Sequence, residues 1–164
     1  MKSVQVGPRY AAVVDDDDLV VVSSFRWHAQ AAKNGTVYAY TFSGPERQKI
    51  YMHRLIMGAL DGQSVDHINH QGLDNTRSNL RVCSNTENMR NMITSRGTSK
   101  YKGVSWFRRD GKWRAYIFID GSQKHLGYFQ TEIDAAKAYN EAARSLFGAF
   151  AYLNQLPERS LAGV

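Results

Sequence analysis

The sequence predicts an α+β protein: a β-rich N-terminal module, then a three-stranded antiparallel sheet packed on one helix. Residues 3–57 hold short apolar runs separated by turn signals. Residues 65–91 follow the order strand, loop, strand and capped helix, and residues 101–153 hold three strand-like runs and an alanine-rich helix. These three patterns indicate two modules rather than one continuous sheet.

Composition narrows the class of protein. The chain has 164 residues, a formal charge of +6 and 43% hydrophobic residues, enough for one domain or two small ones. No stretch approaches the ~20 apolar residues needed to span a bilayer, and the first residues lack a secretion signal. The single cysteine, Cys83, excludes internal disulfides and zinc sites built from several thiolates. We therefore expect a soluble protein of a reducing compartment, the cytoplasm, with no membrane partner.

The positive charge is concentrated in one stretch. Residues 100–128 carry seven cations against two anions, a net of +5. A polyanionic partner is therefore favoured.

The strongest concentration of negative charge is Asp15–Asp18, between the apolar runs Ala11–Val14 and Leu19–Val22. A solvated turn between two strands is the favoured interpretation of these carboxylates, and a metal site is the alternative.

Turn residues mark the elements of the N-terminal module. Asn34-Gly35 separates two aromatic-rich runs and predicts a hairpin. Arg54–Met57 is expected to form a short helix. Strands are predicted over Val4–Val6, Phe25–Ala31, Val37–Phe42 and Ile50–His53.

Four residues of the 65–91 unit have the chemistry needed to hydrolyse a phosphodiester. His67 suits a general base, because an imidazole accepts a proton near neutrality. Asp66 and Asn88 offer hard oxygen ligands, which suit Mg²⁺ or Mn²⁺ better than zinc. Asn79, on the returning strand, can hydrogen-bond across the loop and orient His67. The helix that carries Asn88 begins with the capping box Ser84–Glu87.

The run Asp66-His67, Asn79-Leu80 and Glu87–Asn91 resembles the ββα-metal motif of HNH endonucleases. The similarity is closest to the phage and intron-encoded homing branch, whose last motif position is Asn, and the segment Met52–Gly58 also resembles that branch. Together the resemblance covers about residues 9–92. It implies that His67 is the general base, that Asp66 and Asn88 hold the metal, and that Asn79 shapes the loop. A phage-encoded protein would act in the host cytoplasm.

Other polar residues of this module have weaker signals. His53 is interpreted as a structural or core residue, and His70 as a loop residue or phosphate contact. Arginines near the motif are candidates for phosphate contact, with ordinary solvated charges as the alternative. These arginines are Arg77, Arg81 and Arg90.

The C-terminal module predicts a sheet covered on one face. Strands are expected over Val104–Phe107, Lys112–Ile119 and Gln123–Phe129, and a helix from Glu132 to about Phe147. Thr131 is the expected N-cap of this helix and Gly148 its C-terminal stop. The core-facing set on the second strand is Trp113, Ala115, Ile117 and Ile119, and the helix stripe is Ala136, Tyr139, Ala143 and Leu146 or Phe147.

The opposite sheet face is expected to be exposed, basic and aromatic. Cations for phosphates and flat or forked side chains for base edges are what a sheet needs in a DNA major groove. The alternative is a solvated sheet whose aromatic residues pack on the first module. The candidate DNA contacts on and near this face are Lys102, Arg108, Arg109, Lys112, Arg114, Tyr116, Phe118, Gln123 and His125.

Several segments of this module resemble the Apetala-2/ethylene-response-factor DNA-binding domain. They are Tyr101–Val104, Gly111–Ala115, His125–Phe129 and Asp134–Asn140, and the resemblance covers about residues 100–154. It implies binding to double-stranded DNA. Ser105, Phe107 and Phe118 replace basic positions of the plant proteins, so their target sequence does not carry over.

The sequence thus predicts a metal-dependent, site-directed DNA endonuclease of the homing type. Its expected parts are a nuclease domain over 1–92, a basic linker over 93–100, a DNA-binding domain over 101–154 and a tail over 155–164. The rivals are a non-catalytic, sequence-specific DNA-binding regulator and an RNA-binding module. A monomer is the favoured oligomeric state.

Overall fold

The computed structural model of this protein describes residues 1–92 and 97–157. Helices and strands are mixed along the chain, as the sequence predicts. The chain divides into two compact units, Met1–Asn88 and Met89–Val164. Within the described ranges, no helix has the length and apolar character needed to cross a membrane.

The first unit is built from three small antiparallel sheets and short helices. The strands are β1 (Lys2–Val6), β2 (Tyr10–Val14), β3 (His28–Ala31), β4 (Val37–Ser43), β5 (Gln48–Tyr51), β6 (Ser64–His67) and β7 (Leu80–Cys83). β1 pairs with β2, β4 lies between β3 and β5, and β6 pairs with β7. The helices are α1 (Leu19–Ser23), α2 (Met52–Met57) and α3 (Asn85–Asn91), the last of which begins in this unit.

The predicted hairpin at Asn34-Gly35 is confirmed. Ala31 pairs with Val37 across it, and Gly35 has a φ of +86°, a conformation that glycine adopts without steric cost. The Asn34 side chain accepts a hydrogen bond of 3.1 Å from the backbone N–H of Thr36.

The prediction of a strand over Leu19–Val22 is wrong. Asp16–Asp18 form a 3₁₀ turn that leads directly into α1. The turn at the end of α1 brings the chain back so that the indole N–H of Trp27 donates to the Val22 carbonyl at 2.8 Å. This buried hydrogen bond and the burial of both side chains outweigh the strand propensity of the valine run.

Two further predicted strands have shifted bounds. β3 begins at His28 rather than Phe25, because Trp27 instead enters the core beside Val6, with which it forms a parallel bridge. β5 ends at Tyr51, so His53 lies in α2 rather than in the strand.

One apolar core joins the sheets and helices of the first unit. It contains Val6, Ala12, Val14, Val22, Trp27, Ala39, Met52, Ile56, Val65 and Leu80. The loop between β6 and β7 also packs closely on β4. A Cβ at Gly72 would lie 2.5 Å from the Val37 carbonyl oxygen and 2.7 Å from the Tyr38 ring, so only glycine permits this approach.

The second unit has the predicted sheet and helix. The strands β8 (Val104–Phe107), β9 (Lys112–Ile119) and β10 (Ser122–Phe129) form an antiparallel sheet with β9 in the centre, and α4 (Glu132–Phe147) packs on it. Thr131 caps α4 by accepting from the backbone N–H of Asp134 at 3.1 Å. The hairpin turn at Asp120-Gly121 is also confirmed, with φ of 48° and 80°.

The predicted core face of this sheet is confirmed at Ala115 and Ile117, which are buried against α4. Of the two alternatives at the end of the helix stripe, Phe147 is buried and Leu146 is exposed. Gly103 lets the chain approach the helix, since a Cβ there would lie 2.1 Å from the Tyr139 ring.

The predicted linker and tail are described in part. Residues 93–96 and 158–164 lie outside the described residues. Ser99, at the end of the predicted linker, is buried and donates to Glu132 at 2.6 Å. Just before the predicted tail, Asn154 exchanges two hydrogen bonds with Asn140 of α4.

Candidate functional site

The β6–β7 hairpin places the predicted metal ligand Asp66 and the predicted base His67 at the end of β6. Asp66 pairs with Arg81, and His67 with Leu80. Both Asp66 and His67 are buried, and His67 keeps 6% of its surface exposed. The hairpin continues into α3, whose first turn has the predicted capping box: Ser84 and Glu87 exchange side-chain to backbone hydrogen bonds of 2.8 and 3.2 Å.

Asn79 holds the loop between the two strands closed. Its side-chain oxygen accepts from the backbone N–H of Asn69 at 3.0 Å, and its amide donates to the Asp74 carbonyl at 2.8 Å. The backbone carbonyl of Asn79 accepts a hydrogen bond from the backbone N–H of Ile68 at 2.9 Å. These are the cross-loop hydrogen bonds that the sequence predicts, while the catalytic role assigned to Asn79 stays a prediction.

Asn75 is a site residue that the sequence analysis missed. Its Oδ1 lies 3.2 Å from His67 Nε2, and the residue is fully buried. With the amide oxygen as acceptor, Nε2 carries the proton and Nδ1 the lone pair. Asn75 Nδ2 has no hydrogen-bond partner among the described residues. The turn-rich composition of residues 61–79 predicts only a loop here, so nothing in the sequence distinguishes this Asn from its neighbours.

Aromatic rings enclose His67 on the side of β4 and α2. The rings of His53 and His67 meet edge to face, with centroids 4.9 Å apart, and the Tyr38 ring lies 5.7 Å from His67. The interpretation of His53 as a core residue agrees with its burial, but the structure also places it directly against the predicted base. Its Nδ1 has no hydrogen-bond partner within the described chain.

Burial decides the protonation of both imidazoles. Desolvation lowers the pKa of His53 to about 3, and repulsion of a second positive charge by Arg54 and by His67, when that ring is protonated, adds to this shift. Desolvation also lowers the pKa of His67, and the hydrogen bond to Asn75 opposes this shift. Both rings are therefore neutral at pH 7, the state in which an imidazole can accept a proton.

The Asp66 carboxylate is held by Arg81 from the neighbouring strand. Arg81 Nε and Nη2 donate to Asp66 Oδ2 at 2.9 and 2.5 Å, and both side chains are largely buried. The guanidinium that the sequence offered as a phosphate contact is thus an internal counterion. A buried carboxylate needs such a partner to offset its desolvation.

The other proposed metal ligand, Asn88, is half-buried on α3, where its backbone N–H donates to the Ser84 carbonyl at 3.0 Å. Among residues 1–92 and 97–157, no three His, Cys, Asp or Glu side chains are grouped closely enough to hold a metal. One carboxylate and one amide oxygen nonetheless match what Mg²⁺ takes from proteins, because Mg²⁺ keeps most of its ligands as water and phosphate. The donor chemistry of Asp66 and Asn88 therefore fits this ion.

Arg77 makes contacts within the first unit. Its Nε and Nη2 donate to the carboxylate of Asp18 at 2.9 and 2.7 Å, and Nη2 also donates to the Ile56 carbonyl. Its backbone N–H donates to Asp15. Asp15 and Asp18 thus anchor this arginine, whereas Asp16 and Asp17 are exposed on the 3₁₀ turn, so the interpretation as a solvated turn holds for two of the four aspartates. His70 lies in the loop, in the left-handed conformation with a φ of 62°.

In the second unit, strand register defines the outer face of the sheet. Phe118 pairs with Gln123 and Tyr116 with His125, which puts these predicted residues on one face. A β-bulge between His125 and Gly127 changes the alternation, so Tyr128 pairs with Arg114 and joins the same face. The outer face consists of Ser105, Phe107, Lys112, Arg114, Tyr116, Phe118, Gln123, His125 and Tyr128.

The outer face combines exposed rings with cations. Phe118 is 58% exposed, and the Arg114 guanidinium lies 5.2 Å from the Tyr116 ring centroid. In the adjacent turn, Arg108 is exposed, and Arg109 lies over Phe107 and pairs with Asp110. Exposed aromatic residues beside cations are typical of a surface that binds a polyanion.

Two predicted DNA contacts are engaged inside the second unit. The Lys102 ammonium donates to the carbonyls of Arg90 and Met92, each at 2.7 Å, and burial lowers its pKa to about 8. The Arg90 guanidinium lies over the Phe147 ring and 3.8 Å from Asp120. Neither cation belongs to the outer face.

Comparison with known proteins assigns the family. No family model matches the chain. It is 32% identical over 146 residues to an uncharacterized HNH endonuclease of Acanthamoeba polyphaga mimivirus, a match that covers 88% of this chain and 75% of that protein. The chain belongs to the HNH endonuclease family.

The C-terminal part has a second similarity, to plant transcription factors. It is 42% identical over 57 residues to APETALA2-like protein 2 of rice and to an AP2-like ethylene-responsive transcription factor of Arabidopsis thaliana. The match covers 35% of this chain but only 13% and 12% of those proteins. The resemblance to the Apetala-2 domain is thereby confirmed, and it extends to one domain of much longer proteins.

Replacing His53 with Gln should flatten the pH dependence of stability of the first unit. An unfolded histidine titrates near ~6.5, whereas the folded pKa is about 3. The unfolded chain therefore binds a proton first as the pH falls, and stability is lost below ~6.5. Between pH 6.5 and 5 this residue accounts for about 2 kcal/mol of that loss.

Urea unfolding at the two pH values, followed by NMR signals of the first unit, measures this difference. His125→Gln, at an exposed histidine of the second unit, is the matched control and should leave the difference unchanged. An equal loss of stability in wild type and His53→Gln would show that His53 is not held neutral by burial.

Proposed function

We propose that this protein is a metal-dependent, site-directed DNA endonuclease of the homing type. The observation that carries the proposal is the arrangement at the end of β6. A neutral His67, oriented by Asn75, follows the buried carboxylate of Asp66 in a member of the HNH family. We assign the cutting site to residues 1–92 and target binding to residues 101–154, with 93–100 as linker and 155–164 as tail.

His67 acts as the general base. Its Nδ1 accepts the proton of the attacking water, and the Nε2 proton stays hydrogen-bonded to the Asn75 carbonyl oxygen. The charge that develops on the ring is unfavourable in a buried site, and the Asn75 oxygen and the nearby Asp66 and Asp74 carboxylates stabilise it. The 3′ oxygen leaves, and the product carries a 5′-phosphate. In this mechanism the exposed part of the His67 ring faces the scissile phosphate.

Asp66 and Asn88 are the residues that would hold a divalent ion, Mg²⁺ or Mn²⁺. Such an ion stabilises negative charge on the phosphate and on the leaving oxygen. Arg81 occupies the same carboxylate in this structure, so it is the residue that must share Asp66 with the ion. Asn79 keeps the loop closed and thereby fixes the direction in which His67 points.

The second unit is proposed to bind double-stranded DNA through its outer face. Arg114, Lys112 and Arg108 offer charge to phosphates, and Phe118, Gln123, His125 and Tyr128 offer surface to base edges. The similarity to AP2-type transcription factors supports this assignment. Arg77, Arg90 and Lys102 are not included, because their charged groups are bound to carboxylates or backbone carbonyls of the protein.

A non-catalytic DNA-binding regulator is the second candidate function. The burial of His67 and the ion pair between Asp66 and Arg81 favour it, because both would suit a scaffold that no longer cuts. Incubation of supercoiled plasmid with the protein and Mg²⁺, with and without a chelator, separates the two functions. Nicked or linear product that the chelator abolishes supports the endonuclease, and unchanged plasmid supports the regulator.

Changing His67 to Ala should reduce the rate of plasmid cleavage at least ~10²-fold, because a general base contributes that much or more to the rate. DNA affinity measured in chelator should stay within about twofold of wild type, because the ring is mostly buried. His67→Gln keeps a donor for Asn75 but cannot serve as the base, so it should be equally inactive. Retained cleavage in either variant would remove the assignment of His67.

Changing Arg114 to Ala should weaken duplex binding about tenfold and reduce the slope of log affinity against log salt by about one. The guanidinium lies on the outer face, with its Nε 3.3 Å from Ser105 Oγ. Arg144→Ala, at an exposed arginine of α4, is the matched control, since it removes the same charge from the other side of the sheet. Equal slopes for the two variants would show that the outer face does not meet phosphates.

A further inference from the structure

The sheet β3–β4–β5 of the first unit has one buried face and an opposite face that is exposed at Phe42 and Lys49 and covered at Tyr38 by the β6–β7 loop. Ala39 and Thr41 of β4 point into the protein and are buried. The alternate residues of β4 and their partners in the register make up the opposite side. We call this the β3–β5 face, and it consists of His28, Gln30, Tyr38, Tyr40, Phe42, Lys49 and Tyr51.

Cations lie directly over the rings of this face. Lys49 Nζ is 4.1 Å from the Tyr40 centroid and 5.0 Å from that of Tyr51. The Arg47 guanidinium, in the turn before β5, lies 5.2 Å from the centroid of Phe42, which is 42% exposed. Lys49 and the Tyr51 hydroxyl also donate to the side-chain oxygen of Gln30. Rings and cations are thus held in one fixed arrangement.

The strands of this face lie in a stretch of the sequence with net positive charge. Residues 1–88 carry nine cations and nine anions, a formal net of zero. Residues 26–51, which contain β3, β4 and β5, carry four cations against one anion, a net of +3. Two of these cations, Arg47 and Lys49, lie over rings of the face, and their charge is complementary to a polyanion.

The same rings connect the face with the candidate catalytic residue. Tyr51 stacks on His53, with ring centroids 5.4 Å apart and planes at 19°. His53 meets the edge of His67, and Tyr38 lies 6.4 Å from Tyr51 and 5.7 Å from His67. Phe42 and Tyr40 extend the series toward the open end of the sheet. Ring contacts therefore run without interruption from the exposed Phe42 to the imidazole of His67.

We propose that the β3–β5 face is a second DNA-binding surface, which holds the strand to be cut beside His67. The exposed ring of Phe42 accepts a base by stacking, and the exposed Lys49 and Arg47 beside the rings meet phosphates. This inference rests on the proposed function, since it supplies that function with a contact to the strand near the cutting site. The outer face of the second unit then provides a separate attachment to DNA.

The test measures duplex and single-strand affinity of the full chain in chelator, where no metal-dependent cleavage occurs. The test variant combines Lys49→Gln, which keeps a donor for Gln30, with Arg47→Asn. Asn suits position 47 because Arg47 has a φ of 51° and Asn tolerates this conformation. Lys2→Gln with Arg9→Gln, at two exposed cations of β1 and the β1–β2 turn, is the control with the same loss of charge.

The double variant should bind DNA at least tenfold more weakly and lower the salt slope by about two. A slope equal to that of the Lys2/Arg9 control would overturn the inference. As a second measurement, oligonucleotides that contain iododeoxyuridine should form photo-crosslinks with Tyr40 or Phe42, mapped by mass spectrometry. Crosslinks confined to the second unit would also overturn it. These readouts do not depend on cleavage. If the wild-type protein cuts plasmid and the double variant keeps the wild-type salt slope, the β3–β5 face alone is refuted. If the wild-type protein does not cut but the slope change and the crosslinks are both observed, the endonuclease function alone is refuted.

Discussion

The hydrogen bond between His67 and the buried Asn75 is the interaction on which the candidate site depends. It selects the tautomer of the imidazole, and it is possible only because Asn75 itself is fixed: its backbone N–H donates to the Val13 carbonyl of β2 at 2.8 Å. Asn79 ties the same loop to β7, and Gly72 lets it lie against β4. These contacts bury His67. Burial disfavours the charged form of the ring and leaves His67 neutral at physiological pH.

Local signals in the sequence predicted the secondary-structure elements well where contacts between residues close in sequence determine the conformation. The capping box at Ser84, the Asn34-Gly35 hairpin and the Thr131 N-cap depend on neighbours a few residues away, and all are present. The apolar run Leu19–Val22 was misread because its helix is selected by a distant contact, the indole of Trp27. Tertiary contacts override β-propensity in such short runs.

Prediction of the candidate site was limited in the same way. The spacing of Asp66, His67 and Asn79 identified the hairpin and its loop, since these residues follow a pattern along the chain. The partners Asn75, His53 and Arg81 were missed or interpreted differently, because only folding brings them against His67 and Asp66. Tyr128 was missed because a β-bulge changes the alternation of β10, and a bulge leaves no reliable mark in the sequence.

The central claim is that a neutral, oriented His67 is the base, and the pH dependence of single-turnover plasmid cleavage tests it most directly. In saturating Mg²⁺, the wild-type rate should fall only below the ordinary histidine pKa of ~6.5, because burial lowers the pKa of His67. Asn75→Leu removes the hydrogen bond that opposes this shift, so the acid limb should move to still lower pH while the plateau rate decreases. An acid limb at or above the ordinary histidine value, or one that Asn75→Leu leaves in place, would contradict the account.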